Sequence, residues 1–397
     1  MTGTTTPRDA AGALLRPEIV VDLDAIAHNV RLLGAHTGRP VMAVVKADGY
    51  GHGMLPVARA ARAAGAAWLG VATTDEARAL RAAGDTGPLL CWLLTPGEDL
   101  SDLVRDGVDV TAGTRASLTA LTAAAQRAGR AARVQLKIDT GLRRNGALPQ
   151  DWPALVAATA AAVAAGTVEL TGVWSHLACA DEPAHPANAA QRAAFADALA
   201  VVAEHGLDPG LRHLANSAAS VLDPASHHDL VRCGIAVYGL DPAPEVPHGL
   251  PLRPALTLRA PLVLVKPRAA GESVSYGHTW TAPAGTTVGL VPVGYGEGVP
   301  RAASGVVEVQ VAGRRRALRG RVCMDQVVVD LGGDAPPVGA EVVLFGPPAP
   351  DGSRPTVQEW AQACGTINYE IVTRLGGRLT RRYVGHDPGR SAQEGTA

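Results

Sequence analysis

A (β/α)8 barrel followed by a smaller, mostly β domain is the fold class this 397-residue sequence predicts, and three observations predict it. Short apolar runs alternate with helix-forming stretches from residue 41 to residue 240, the pattern of βα units on a parallel sheet. Eight such units in roughly 200 residues suit a closed barrel better than an open sheet. A proline-rich segment, DPAPEVPHGLP at 241–251, then breaks the pattern. Beyond it, short strands between Gly and Pro turns replace the helices almost entirely. The domains are expected at 1–252 and 253–397, with flexible tails at 1–16 and 385–397.

The elements follow in order. A strand at 18–23 leads to a short amphipathic helix at 24–33, and then to the apolar run at 41–45. Lys46 follows that run directly and is succeeded by a helix at 55–64. Next come a strand at 68–72 and a helix at 77–83, opened by a TTDE capping box at 73–76. Strands at 89–94 and 108–111 flank a helical turn at 100–105, and helix 116–128 precedes strand 134–138. Helix 154–165 leads to strand 169–174, and helix 187–205 to strand 211–214. A short helix at 218–222 and an eighth strand at 235–238 complete the set. In the second domain, strands are expected at 263–265, 287–291, 306–311, 327–331 and 342–345, with one helix near 357–364.

Composition narrows the function. With 47% hydrophobic and 18% charged residues and a net charge of −1, nothing favours nucleic acid or an anionic membrane as partner. No apolar run approaches the ~20 residues of a spanning helix, and residues 1–17 lack the apolar core of a signal peptide. The five cysteines are scattered without a C-x-x-C pair. Neither a metal nor a disulfide framework is expected, and the expected compartment is the reducing cytoplasm.

In a barrel of this class, reactive groups stand at the C-terminal ends of strands. Lys46 after the first strand, Lys137 and Asp139 at the fifth, His176 at the sixth, Asn216 and Ser217 after the seventh, and Arg232 at the edge of the eighth all fall there. A strand-end lysine by itself points into water. Gly49, Gly51 and Gly53 let backbone approach a ligand closely, and Tyr50 adds a hydroxyl on the same turn. Together they favour a nucleophilic amine in a site suited to an anionic cofactor or a carboxylate substrate.

The stretch VMAVVKADGYGHG at 41–53 resembles the cofactor-lysine motif of alanine racemases, and residues 17–382 resemble that family in both domains. The resemblance implies that Lys46 holds pyridoxal 5'-phosphate covalently and that Tyr50 contacts its phosphate. In KIDTGLRRNG at 137–146 it implies a carbamylated Lys137. Arg144 would then bind the cofactor's phenolic oxygen and the substrate carboxylate. It further places His176, in WSHLA at 174–178, against the cofactor ring, and Asn216, Ser217, the amides of Gly234 and Ile235, and Tyr369 among the cofactor-binding groups. Arg232, in VRCGI at 231–235, would face the pyridine nitrogen. Tyr276, in SYG at 275–277, would be the second base, and Met324, in CMD at 323–325, a substrate contact. Both would enter from a second copy of the chain in a homodimer with shared sites. The implied reaction is interconversion of L- and D-alanine, with Lys46 acting on the D-side and Tyr276 on the L-side, to supply D-alanine for peptidoglycan.

Arg143 and the pair Trp174-Ser175 depart from the commonest family pattern and bear on substrate preference. Two other readings make different demands. A pyridoxal-phosphate decarboxylase of the same architecture needs a carboxylate where Arg232 stands. A cofactor-carrier protein is a barrel alone, without the domain that bears Tyr276 and Met324.

Overall fold

The computed structural model describes residue 14 and residues 16–386. The tails expected at 1–16 and 385–397 lie mostly outside the described residues. Eight parallel strands form the barrel: β2 (Val41–Val44), β3 (Trp68–Val71), β4 (Leu89–Cys91), β5 (Asp109–Ala112), β6 (Ala132–Lys137), β7 (Val168–Trp174), β8 (Leu211–His213) and β9 (Val231–Cys233). Their order is β8-β7-β6-β5-β4-β3-β2-β9. The ring is completed between β8 and β9 by Arg232 N–H donating to the Ala215 carbonyl (3.0 Å) and Asp229 N–H to that of Arg212 (3.0 Å). Helices at the expected places cover the outside. The Thr73–Glu76 capping box forms as the sequence predicts.

The eighth strand differs from the expectation. Ile235–Tyr238 is a 3-10 turn closed by Gly239 at φ 76°, and the strand is Val231–Cys233. An apolar run fully buried on every side carries no periodicity to tell strand from helix. The tyrosine settles it locally: Tyr238 Oη donates to the Val44 carbonyl (3.0 Å), which ties the turn beneath the lysine strand. Arg232 therefore lies within the last barrel strand, opposite Met42 of β2.

The interior of the barrel is packed by Met42, Trp68, Leu90 and Leu230, separately from the larger core beneath the helices. The second sheet has nine strands. Besides the five strands read from sequence, it contains Leu256–Pro261, Arg314–Arg319 and Thr380–Val384, and it also takes in β1 (Glu18–Asp22). β1 pairs antiparallel with Leu256–Pro261 and parallel with Thr380–Val384. The N-terminal strand thus stitches the second sheet to the helix Leu23–Thr37 that covers the barrel.

Candidate active site

The lysine turn is built under backbone strain. Ala47, Asp48, Gly49 and Tyr50 all have φ between 51° and 60°, a left-handed path that costs roughly 1–2 kcal/mol per non-glycine residue. Such a path persists only where neighbours hold it. Glu76 Oε1 accepts from Ala47 N–H (2.7 Å), and Asp48 Oδ1 accepts from Met54 N–H (2.9 Å). The second sheet closes over the turn. Arg381 donates to the Gly51 carbonyl (2.9 Å) and pairs with Asp48 (3.0 Å). A Cβ at Gly51 would overlap the Val372 carbonyl, and one at Gly53 the Tyr383 hydroxyl. Only glycine fits at either position.

The strand-end cations converge at the barrel mouth. Lys46 has its pKa lowered by burial and then by Arg144, against the opposing pull of Glu76. Lys137, 4% exposed at the end of β6, is pushed down to about 7 by burial, Arg232 and Arg144. Its Nζ lies 4.2 Å from the centre of the Trp174 ring, a cation–π contact. Burial, Arg232, Arg144 and both lysines hold His176 well below the usual histidine range, so its ring is neutral. Among the described residues, Glu76 and Asp139 oppose these cations, and Asp139 is engaged by the amides of Gly141 (2.9 Å) and Arg143 (3.0 Å). Arg144 itself is exposed at the rim. Positive charge therefore predominates at the mouth, which suits an anion.

Arg232 is the best-fixed of these groups. Nη1 donates to the His213 carbonyl (2.9 Å) and faces His213 Nδ1 (3.1 Å). Nη2 donates to the carbonyls of Ser175 (2.7 Å) and Leu214 (3.1 Å) and faces His176 Nδ1 (3.2 Å). The Trp174 ring lies beneath the guanidinium at 4.8 Å. Burial pulls Arg232 down to about 9, and the group stays protonated at neutral pH with only Nε left over for a further partner.

Beside it, Ser217 Oγ accepts from Gly234 N–H (2.8 Å), and a Cβ on Gly234 would overlap the Tyr50 hydroxyl. The Tyr50 ring lies 6.2 Å from that of Tyr369. Burial raises the pKa of both phenols, so each keeps its proton and can donate it to an anion. Two phenols and a serine hydroxyl gathered around a close-packed glycine suit a phosphate. Asn216 has a structural task as well, because its Oδ1 caps the helix Ser217–Leu222 through Ala219 N–H (3.0 Å).

Tyr276 and Met324 are placed differently, being 69% and 54% exposed on the second domain. No hydrogen bond, ion pair or ring contact joins either side chain to the barrel among the described residues. Ser275 (φ 64°), Gly277 (φ 71°) and His278 (φ 45°) bend the chain sharply around the tyrosine. Ser275 Oγ anchors the bend on the Arg321 carbonyl (2.6 Å). Tyr295, 43% exposed, follows the same segment through Gly296 N–H bound to the Met324 carbonyl (2.8 Å).

Sequence reasoning placed Trp174 beside the site but missed His213 and Gln135 as its neighbours. Its capping-box glutamate, Glu76, has the additional task of holding the lysine turn.

Comparison with known proteins agrees across nearly all of the chain. The family described as "Alanine racemase, N-terminal domain" matches residues 21–242, and "Alanine racemase, C-terminal domain" matches 255–383. Alanine racemase of Frankia casuarinae is 52% identical, covering 94% of this chain and 98% of its own. That of Streptomyces coelicolor is also 52% identical, covering 97% and 100%. Among solved structures, alanine racemase from D-cycloserine-producing Streptomyces lavendulae superposes with a TM-score of 0.92 at 51% identity, covering 96% of this chain and 98% of its own.

Proposed function

The chain belongs to the alanine racemase family, isomerases that interconvert L- and D-alanine, and we propose that it does so with pyridoxal 5'-phosphate and two bases on opposite faces of the substrate. The observation that carries this reading is the buried cationic mouth with an arginine, rather than a carboxylate, at its centre. Lys46 would hold the cofactor covalently. Tyr50, Ser217, Tyr369 and the amides of Gly234 and Ile235 would take its phosphate, with Asn216 beside them. His176 would pack on its ring, Arg232 would meet the ring nitrogen, and Arg144 would meet the phenolic oxygen and the substrate carboxylate. When bound, the cofactor supplies the electron sink that acidifies the α-carbon.

The chain's own groups then divide the work. The amine of Lys46 has its pKa lowered, which keeps part of it neutral and able to take or return a proton on the D-side. The phenol oxygen of Tyr276 would take or return the proton on the L-side. An arginine does not yield its proton to a ring nitrogen. Arg232 at that position would leave the bound cofactor a weaker electron sink, which would favour return of the proton to the α-carbon and limit transamination. The decarboxylase reading requires the opposite charge at this position.

Tyr276 and Met324 reach the mouth in this reading from a second copy of the chain, as their exposure supports. The division into a cofactor barrel up to 252 and a base-donating domain from 253 belongs to the same reading, as do D-alanine supply for peptidoglycan and a cytoplasmic site of action. Lys137, with its pKa near 7, offers the neutral amine that carbamylation by CO2 requires. The resulting anion would turn repulsion toward Arg144 into a charge-assisted hydrogen bond.

Borohydride reduction followed by peptide mapping, beside a chiral assay for D-alanine, tests the assignment. Label on Lys46 and D-alanine from L-alanine are expected. Label on another lysine would overturn it.

A further inference from the structure

Resting on the racemase reading above, we infer that Asp109, Gln135 and His213 form a relay through the barrel interior that fixes the proton arrangement around Arg232. Gln135 and Asp109 are thereby positioning residues for the reaction. The relay starts at the N-terminal end of the barrel, where Asp109 opens β5 at 1% exposure. Its Oδ1 accepts from Arg133 Nε (2.7 Å), and its Oδ2 accepts from Thr171 Oγ1 (2.5 Å) and Gln135 Nε2 (3.0 Å). A carboxylate paired with arginine offers only acceptors, so Gln135 must turn its NH2 toward Asp109.

Its Oε1 then faces His213 Nε2 at 2.8 Å, which places the ring proton on Nε2. Burial and the adjacent Arg232 keep the His213 ring neutral. Nδ1 is therefore a bare lone pair, 3.1 Å from Arg232 Nη1, which can only donate. Each member has one allowed orientation, and the last of them is the aim of Arg232.

The backbone is shaped for the relay. The β6–β7 register slips between Val134 and Gln135, a bulge of the kind that re-aims a side chain. On the facing strand a Cβ at Gly172 would come within 3.0 Å of Gln135 Cδ, so glycine leaves the amide its place. Trp174 stacks on His213 with an interplanar angle of 6°, which holds the ring plane.

Asp109→Asn inverts the order with almost no change of shape. Arg133 still requires an oxygen at the Oδ1 position, which turns the new NH2 toward Gln135 and Thr171. Thr171 can accept it, because its own proton has the Val134 carbonyl at 3.2 Å. Gln135 must then flip and present NH2 to His213, which forces the ring proton onto Nδ1, donor against donor at Arg232.

The test is nitrogen NMR of histidine-labelled enzyme, with pyruvate formed per racemisation event as a second readout. In the wild-type enzyme His213 is expected to carry its proton on Nε2. Asp109→Asn should move it to Nδ1 and raise side transamination about tenfold. Thr171→Val, which removes one bond but leaves the carboxylate, should keep the proton on Nε2. A wild-type proton on Nδ1 overturns the relay whether or not any variant folds. An unmoved proton in folded Asp109→Asn overturns it equally. Because the ring signal is independent of turnover, failure of the relay is distinguishable from failure of the racemase reading, which the wild-type D-alanine assay reports.

Discussion

The barrel mouth and the Tyr276 loop present their reactive groups in opposite ways. At the mouth, Lys137 and Arg232 are no more than 5% exposed, residues at the ends of β2, β6, β7 and β8 and within β9 contribute, and the lysine turn is clamped from outside. On the second domain, Tyr276 and Met324 project on a tightly bent segment with 69% and 54% of their surface open. The first region is a socket with excess positive charge. The second is a plug that projects away from the barrel, with no side-chain contact from Tyr276 or Met324 to it among the described residues. In the proposed reading these are the two halves of one two-base site, and a second copy of the chain would join them.

The largest effect that can break this comparison is at the socket. Lys46→Ala removes both anchor and base. It is expected to lower D-alanine formation by about 10⁴-fold or more and to abolish the visible absorption of bound cofactor. A variant that keeps activity within tenfold would show that the socket is not the reactive half.

At the plug, Tyr276→Phe keeps the ring and deletes the proton-carrying oxygen. A loss of about 10²–10³-fold in racemisation is expected, with cofactor absorption intact and α-deuterium exchange from heavy water lost from L-alanine but kept by D-alanine. Equal loss of exchange from the two enantiomers would place the tyrosine outside the proton path.

Gly51→Ala sharpens the comparison through the clamp. The substituent would overlap the Val372 carbonyl at a residue with φ 80°. A loss of about 2–3 kcal/mol in unfolding free energy is expected, together with weaker retention of the cofactor in dialysis. Unchanged stability and retention would mean that the turn does not need its outer wall.

The last effect is a gradual one, a pH slope. Lys137 has its folded pKa lowered to about 7 from 10.5, so the unfolded chain binds more protons between those values. Stability conferred by this residue should rise with pH from about 7 to 10.5, by at most about 1.4 kcal/mol per pH unit. Denaturant titrations in CO2-free buffer should show that rise, and Lys137→Met should flatten it.

Much of the barrel was legible because apolar runs and capping signals are local. The 41–45 run announced a buried strand, and Lys46 beside three glycines announced a place where chain meets ligand. The eighth strand was misplaced because 235–238 is apolar throughout, whereas the true strand, Val231–Cys233, carries a buried arginine that reads as surface. Asp109, Gln135 and His213 were illegible for the same reason. A polar side chain turned into a barrel looks, in sequence, like one turned into water. The strand Arg314–Arg319 is mostly arginine, and β1 owes its sheet to partners more than 200 residues away. Long-range pairing of that kind leaves no local signature. Tyr276 and Met324 were located by family likeness, and their exposure then added what no pattern carried.

The most direct test of the two-halves account mixes the inactive variants Lys46→Ala and Tyr276→Ala under conditions of proven subunit exchange. Each hybrid pair would contain one site with an intact Lys46 facing an intact Tyr276. Random mixing should therefore restore about a quarter of wild-type activity. Activity that stays at the level of the separate variants, with hybrids demonstrably present, would contradict the account and place both bases within one chain.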